Sequence, residues 1–184
     1  AAGADSVRVG IGGGSACTTR LVSGHGIPTL ASIMECDEWL ERFGENGIDT
    51  CSIIADGGIR NSGDMVKSFA AGAHAVMVGS MLAGTDESPG NIFTDADGKT
   101  VKAFRGMASA EAQKDASGNV SVAEGISTTV PYKGPVGHIL DKIRGGLGSG
   151  CSYSGCYNIF ELAVYAKYVK VSPSSLNESK PHAL

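Results

Sequence analysis

The chain has 184 residues, of which 42% are hydrophobic and 18% charged, and its formal net charge is −4 at pH 7. This length and composition predict one soluble globular domain, and the lack of an apolar run of about 18 residues argues against a transmembrane helix. Nucleic acids and membranes are bound through clustered Lys and Arg, which this sequence lacks. We therefore expect no nucleic-acid or membrane partner, and a small-molecule ligand instead.

Cysteine and glycine give further information. The five cysteines are an odd number without a Cys-x-x-Cys pair, which predicts free thiols in a reducing cytoplasm. The 27 glycines fall at the ends of apolar runs, where a backbone turns tightly or approaches a ligand. The first residues contain no basic-then-apolar leader, so we expect no secretory signal and a sequence that starts within a larger protein.

The first half of the chain alternates short apolar runs with helical patterns. Strands are predicted over residues 7–11, 51–55 and 75–78, with a loop through Arg20, and helices over residues 28–43 and 62–71. The run 51–55 is typical of a strand covered on both faces. Ser62 is a candidate N-cap for the second helix. Strands and helices at this spacing predict right-handed βαβ units with a parallel sheet, so the fold class is α/β.

The second half begins with residues 85–133, a region rich in Gly, Ser, Asp and Lys. It has short β-like pieces over residues 100–104 and 127–130. Because it is too long for an ordinary connection, it is either disordered or a functional lid. Helical periodicity returns from residue 134, and a last strand is predicted over residues 168–171, before a polar tail at 172–184.

A glycine-rich loop from Gly10 to Arg20 follows the first strand and carries Cys17. A thiol becomes a useful nucleophile where its thiolate is favoured and reachable, which an exposed loop beside polar groups provides. Ser15 and Thr19 supply hydroxyls within local reach. The alternative is a tight turn with a buried structural cysteine.

Polar and glycine residues also end the next two strands. Asp56 and Gly58 follow the second strand, and Gly79 and Ser80 follow the third. In parallel α/β folds ligands gather at the carboxyl ends of strands, where free amides bind phosphate and an aspartate can accept both hydroxyls of a ribose. The competing interpretations are a helix cap for Asp56 and a packing turn for the Gly79-Ser80 pair.

Residues 85–133 add two candidates, the Arg105-Gly106-Met107 run and Glu124. A carboxylate before a glycine in a mobile segment could bond a purine ring or move a proton, although a solvated surface glutamate is the commoner case. The four histidines are scattered and show no metal-ligand spacing.

Six motifs follow one another along the chain: GIGGGSACTTR, IIADGGIRNSGD, AVMVGSMLAG, FRGMAS, AEGISTTVPYKG and GGLGSGCSYSG. Together they resemble the IMP dehydrogenase and GMP reductase family over essentially the whole chain. The resemblance implies the C-terminal part of a TIM (β/α)8 barrel, about strands 6 to 8 with their helices, as a single partial domain over residues 1–184. Residues 85–133 would then be a flap inserted after the last barrel strand, and the first five strands would be absent.

The resemblance also implies roles for the candidate residues. Cys17 would bond covalently to C2 of a purine nucleotide, with Thr19 and Glu124 as its catalytic partners. The implied ligands of phosphate, ribose and base are Ser15, Asp56, Gly58, Gly79, Ser80, Arg105, Gly106 and Met107. Family members usually have a Tyr before the Arg-Gly-Met run, whereas this chain has Phe104, which would remove one hydrogen bond to the phosphate.

A monovalent-cation site, with K⁺ as the candidate ion, is a further implication. It would use Gly12, Gly14 and the carbonyl of Cys17, and Glu178 and Ser179 of a neighbouring subunit would complete it. The family assembles as a tetramer, so the resemblance implies a homotetramer for the full-length protein.

Two reactions occur in this family. The dehydrogenases, which oxidise IMP with NAD, activate water with an Arg-Tyr pair in the flap, and residues 108–123 contain neither Arg nor Tyr. With the Met34-Glu35-Cys36 run, this favours GMP reductase, which converts GMP to IMP and ammonia with NADPH. The Ile59-Arg60 pair and the TDESPG and NESKPH segments look more like the dehydrogenases. The chain by itself would be an inactive fragment, since three βα units cannot close a barrel.

Overall fold

A computed structural model describes residues 3–46 and 51–181. The first half forms a parallel three-stranded sheet in the order β1-β2-β3, made of β1 (Ser6–Val9), β2 (Ser52–Asp56) and β3 (Ala75–Met77). In register, Val9 pairs with Ala55, and Asp56 pairs with Met77. The predicted parallel α/β arrangement is therefore confirmed.

Three helices accompany this sheet: α1 (Thr19–Ser23), α2 (Thr29–Glu45) and α3 (Ser62–Ala70). The short helix α1 lies where the sequence predicted a loop. The prediction of Ser62 as N-cap of α3 is wrong, because Asn61 has an extended backbone and its side-chain oxygen accepts the Asp64 amide at 2.9 Å. Ser62 is instead the first helical residue.

One face of the parallel sheet forms the first core. Val9, Ile53 and Ala55 point towards α2 and are buried with Ile33 of that helix. On the other face, Arg8 and Met77 are exposed, and no element within the described residues covers them. The expectation that the 51–55 strand is covered on both faces is therefore not met by residues 3–46 and 51–181.

Residues 85–133 form a second, antiparallel sheet in the order β4-β5-β6. Its strands are β4 (Ile92–Thr94), β5 (Thr100–Arg105) and β6 (Ser127–Pro131), and α4 (Ala110–Ser117) lies between β5 and β6 in sequence. Of the two alternatives for this region, disorder is wrong. Both predicted β-like pieces are confirmed as strands, and β4 and α4 are added to them.

A buried lysine ties this sheet to the loop that follows β3. Lys102 on β5 is 3% exposed, and its ammonium donates hydrogen bonds to the carbonyl oxygens of Thr85 at 2.6 Å, Asp86 at 3.2 Å and Ser88 at 2.5 Å. A buried charge is costly unless it is fully hydrogen-bonded. Three carbonyl acceptors meet that requirement here and fix the loop on β5.

The C-terminal part of the chain is helical. It contains α5 (Gly137–Ser154), a 3₁₀ helix (Ile159–Glu161), α6 (Leu162–Tyr165) and α7 (Pro173–Glu178). In the described parts of the chain, none of the helices combines the length and the apolar character needed to cross a membrane.

Two expectations for this end of the chain are corrected. The strand predicted over residues 168–171 is wrong, since this segment pairs with no strand among the residues that the structure describes. The Tyr168 hydroxyl instead donates to the Lys67 carbonyl of α3. The polar tail contains α7, and its last three residues lie outside the described part of the chain.

Helices α3 and α5 pack closely because α5 offers glycines at the contact. A Cβ atom on Gly146 would lie 2.5 Å from the Cβ of Ser62, and one on Gly150 would meet the side chain of Val66 at 3.0 Å or less. Both pairs are spaced four residues apart, one helical turn on each helix. This contact lies beside the second core, where Met65 and Phe69 of α3 are buried against Cys151 and Leu162.

We predict that Gly146→Ala destabilises the chain by about 1–3 kcal/mol, because the added methyl overlaps Ser62 and pushes α3 away from α5. Gly145→Ala is the matched control. A Cβ there meets nothing within 4 Å, so better helix propensity should stabilise the chain by roughly 0.5–1 kcal/mol. Urea unfolding of both variants measures the difference, and equal stabilities would contradict the packing described here.

Candidate functional site

The loops after β1 and β2 contact each other through their backbones. The Gly58 amide donates to the Gly13 carbonyl at 2.8 Å. A Cβ on Gly57, whose φ is +90°, would lie 2.8 Å from the carbonyl carbon of Gly13, and one on Gly10 would collide with the carbonyl oxygen of Asp56. Only glycine permits this approach, so the glycines of both motifs place the Cys17 loop directly against the end of β2.

The loop after β2 is also anchored to α3. Asp64 accepts the Arg60 amide at 3.0 Å and the Arg60 guanidinium at 3.0 Å and 3.3 Å. Burial on its own raises the pKa of Asp64, but the hydrogen bonds and charge of Arg60 outweigh it, so the pKa lies below its ordinary value. The carboxylate, in the first turn of α3, thus holds residues 57–60 in place.

The segment that follows α4 in sequence, up to Ile126, packs against the Cys17 loop. The Thr18 amide donates to the Glu124 carbonyl at 2.9 Å, and the Ile126 amide donates to the Ala16 carbonyl at 2.9 Å. Gly125 lies between them, and a Cβ there would be 3.2 Å from the Ala16 carbonyl oxygen. These bonds bring Glu124 to Cys17 across more than one hundred residues of sequence.

The side chains at this junction form a chain of hydrogen bonds. The Cys17 thiol donates to Thr19 Oγ1 at 3.2 Å, and the Thr19 hydroxyl donates to Glu124 Oε2 at 2.6 Å. All three residues are half-buried. A thiol, a hydroxyl and a carboxylate in this order can pass a proton between the sulfur and the carboxylate, which is the arrangement that activates a nucleophile.

A cleft of about 460 Å³ opens beside Cys17. Of the residues that the sequence predicted for the site, those that line it are Gly12, Gly14, Ser15, Cys17, Asp56, Gly58, Gly79, Ser80, Arg105, Gly106, Met107 and Glu124. Thr19 adjoins the cleft through its two hydrogen bonds. The structure therefore gathers residues from the ends of all three parallel strands and from residues 104–125 around one space.

Two charged residues of the cleft are already paired. Asp56 lies 3.4 Å from the Arg8 guanidinium, and Arg105 lies 2.7 Å from Asp115 of α4. The Asp56 carboxylate lines the cleft beside this guanidinium. The Arg105 pair links the end of β5 to α4 at the side of the cleft.

The predicted cation ligands come from two separate parts of the chain. Gly12 and Gly14 line the cleft with Cys17, and the Gly14 carbonyl accepts the Cys17 amide at 3.1 Å. Glu178 and Ser179 lie at the end of α7 and do not line the cleft. Over residues 3–46 and 51–181, no group of three or more His, Cys, Asp or Glu side chains could hold a metal ion.

Several residues of the cleft were missed from the sequence. Arg8 and Met77 line it from the open face of the parallel sheet, and Ala108 lines it from the turn after β5. Phe104, already singled out from the sequence, lines it from β5. Strand alternation could have identified Arg8, because it lies between Val7 and Val9, which face the core. Phe104 also borders a neighbouring cavity of about 780 Å³ between the β3 loop and the antiparallel sheet.

The fold and this site define a member of a known class of enzymes. The IMP dehydrogenase / GMP reductase domain matches residues 1–182, and the chain belongs to that family.

Relatives with both names are similar to the chain. An IMP dehydrogenase of Nitrosopumilus maritimus is 45% identical over 98% of the chain and 39% of the relative, and a GMP reductase of Leishmania donovani is 44% identical over 98% and 37%. A solved structure of a Cys→Ala variant of Trypanosoma brucei GMP reductase in complex with guanosine 5′-monophosphate is 42% identical, with a TM-score of 0.89 over 99% of the chain and 37% of that protein. The chain thus spans less than two fifths of the length of these relatives.

We predict that the Asp64–Arg60 anchor stabilises the chain in a pH-dependent way. Because the pKa of Asp64 is lowered in the folded state, its contribution is complete above the unfolded value of about 3.9 and is lost as pH falls below it. Arg60 is largely exposed, so Asp64→Asn should cost only about 1 kcal/mol at pH 7.

Urea unfolding at pH 7, 5 and 3 measures this contribution. The difference between Asp64→Asn and the wild type should shrink towards zero at pH 3. Asp141→Asn, which removes an exposed pair with Arg144, serves as control. A difference that stays constant over this pH range would contradict the assignment.

Proposed function

We propose that the full-length protein is a purine-nucleotide oxidoreductase in which Cys17 forms a covalent bond to C2 of the purine. The observation that carries this proposal is the hydrogen-bonded chain from Cys17 through Thr19 to Glu124 at the edge of the cleft. Its order suits a nucleophile whose proton is removed towards a carboxylate. The GMP complex of the trypanosomal relative supports a purine nucleotide as the substrate.

The rest of the cleft suits the other parts of a nucleotide. Gly58, Gly79, Ser80 and Ser15 would bind the phosphate through amides and hydroxyls at the ends of the strands. Asp56, which lies beside Arg8, would accept the ribose hydroxyls. Arg105, Gly106 and Met107 would line the base.

We propose GMP reductase as the reaction. The Cys17 thiol would pass its proton through the Thr19 hydroxyl to Glu124 as the sulfur adds to C2 of GMP. Glu124 would return this proton through Thr19 to the amino group, which leaves as ammonia. NADPH, when bound, supplies the hydride that reduces C2, and the C–S bond then breaks to release IMP and the thiolate. Met107 is 90% exposed, so the cleft is open on this side to a nicotinamide ring.

The segment between Met107 and Glu124 favours this reaction over IMP oxidation. Hydrolysis of the covalent intermediate needs a base for water, and residues 108–123 contain neither Arg nor Tyr. In the structure this segment is α4 and its flanking turns. The second candidate, an NAD-dependent IMP dehydrogenase, is supported by relatives of that name at 45% identity.

The remaining expectations belong to the same proposal. The chain would be the C-terminal part of a (β/α)8 barrel, with residues 85–133 as its flap, in a cytoplasmic homotetramer. Gly12, Gly14 and the Cys17 carbonyl would bind K⁺ together with Glu178 and Ser179 of a neighbouring subunit. The open face of the parallel sheet supports a missing partner there, and this chain by itself would be inactive.

We predict that Cys17→Ala in the full-length protein abolishes turnover while nucleotide binding remains measurable, because the covalent step is lost and the phosphate and ribose ligands are kept. Cys156→Ala, which alters a cysteine outside the cleft, is the control and should retain activity. Appreciable turnover by Cys17→Ala would end the assignment.

Supplying wild-type protein with each substrate pair separates the two reactions. GMP with NADPH should be consumed with release of ammonia, and IMP with NAD should give little product. The reverse result would establish the dehydrogenase instead.

A further inference from the structure

Helix α4 separates two segments that must meet at the cleft. Ser109, which is fully buried, caps its N-terminus and accepts the Ala112 amide at 3.2 Å, and Gly118, with φ +74°, ends it. The chain therefore leaves the cleft at Ala108 and returns to it at Glu124. Gly125 is bridged to Cys17 and Ser109, but the returning segment before it, residues 119–124, belongs to no strand and needs side-chain support to keep its register.

The side chain of Gln113 makes that connection. Its amide nitrogen donates to the Ala108 carbonyl at 3.2 Å and to the Val122 carbonyl at 3.0 Å, and its amide oxygen accepts the Ser121 amide at 3.0 Å. Two donors and one acceptor on a single planar group are the property of a primary amide. Gln113 uses both donors and the acceptor, and its partners lie before α4 (Ala108) and after it (Ser121 and Val122).

The Ala108 carbonyl also accepts the Glu124 amide, at 3.0 Å. Gln113 and the backbone of Glu124 thus share one acceptor, and Gln113 holds Val122, two residues before Glu124. The Glu124 carboxylate in turn accepts the Thr19 hydroxyl. Displacement of the returning segment would move this carboxylate away from Thr19.

We propose that Gln113 is a positioning residue that holds the Glu124 carboxylate on Thr19 and thereby sets the reactivity of the Cys17 thiol. This inference rests on the proposed function for its effect on turnover, but not for its effect on the thiol. Gln113 touches none of Cys17, Thr19 or the predicted phosphate ligands through its side-chain bonds, so it acts only through the returning segment.

The first test measures the rate at which iodoacetamide alkylates Cys17, followed by mass spectrometry of the peptide that contains it. Glu124→Gln removes the carboxylate and should slow alkylation. Gln113→Met, which keeps the length of the side chain but not its hydrogen bonds, should slow it by a similar factor of about ten, the loss expected for roughly one net hydrogen bond. Lys114→Ala, an exposed neighbour on α4, should react at the wild-type rate.

The double variant Gln113→Met with Glu124→Gln separates positioning from general stabilisation. If Gln113 acts through Glu124, the double variant should be no slower than Glu124→Gln alone, because residues that act in one pathway are not additive. Additive effects, or a wild-type rate in Gln113→Met, would overturn the proposal.

Turnover of the full-length protein provides the second test. Gln113→Met should lower kcat about tenfold and leave KM for the nucleotide within about twofold, since the phosphate and ribose ligands are untouched. A matching rise in KM with unchanged kcat would contradict a positioning role. If wild-type protein turns over neither nucleotide, the proposed function fails, and the alkylation rates still decide the role of Gln113.

Discussion

The contact between the two glycine loops is the constraint on which the cleft depends. Gly13 and Gly58 are joined by a backbone hydrogen bond, and a side chain on Gly10 or Gly57 would separate the loops. Because the loops are continuous with β1 and β2, the pairing of these two strands fixes the position of the loop that carries Cys17. Main-chain packing therefore positions the site, and the reacting side chains lie on the loops that this packing fixes.

The parallel half was well predicted from the sequence because its signals are local. Apolar runs of strand length, each followed by a glycine turn, are sufficient to place Asp56 and Ser80 at one edge of a sheet. Errors there include the helix cap, where two adjacent polar residues, Asn61 and Ser62, could both serve and only the backbone geometry decides between them. They also include the short helix α1, which lies where a loop was predicted.

The antiparallel half and the C-terminus were predicted less well, for a physical reason. Strand β4 is short and exposed on all its residues, so it carries no burial pattern. Residues 168–171 have a strand-like composition, but the sequence does not show whether a partner strand is within reach. The bond between Thr19 and Glu124 joins residues 105 positions apart, and only the resemblance to a family, not spacing or periodicity, indicated that they belong to one site.

Lys102 gives the molecule an internal cation that belongs to the chain itself. A free ion held by the carbonyls of Thr85, Asp86 and Ser88 would exchange with solvent and vary with the salt supplied, whereas this ammonium is attached covalently to β5. The wall of the larger cavity next to the cleft includes Thr85 and Ser88, so it is held in part by a cation that the chain itself supplies. The K⁺ site proposed for the full-length protein lies elsewhere, at the loop that carries the thiol.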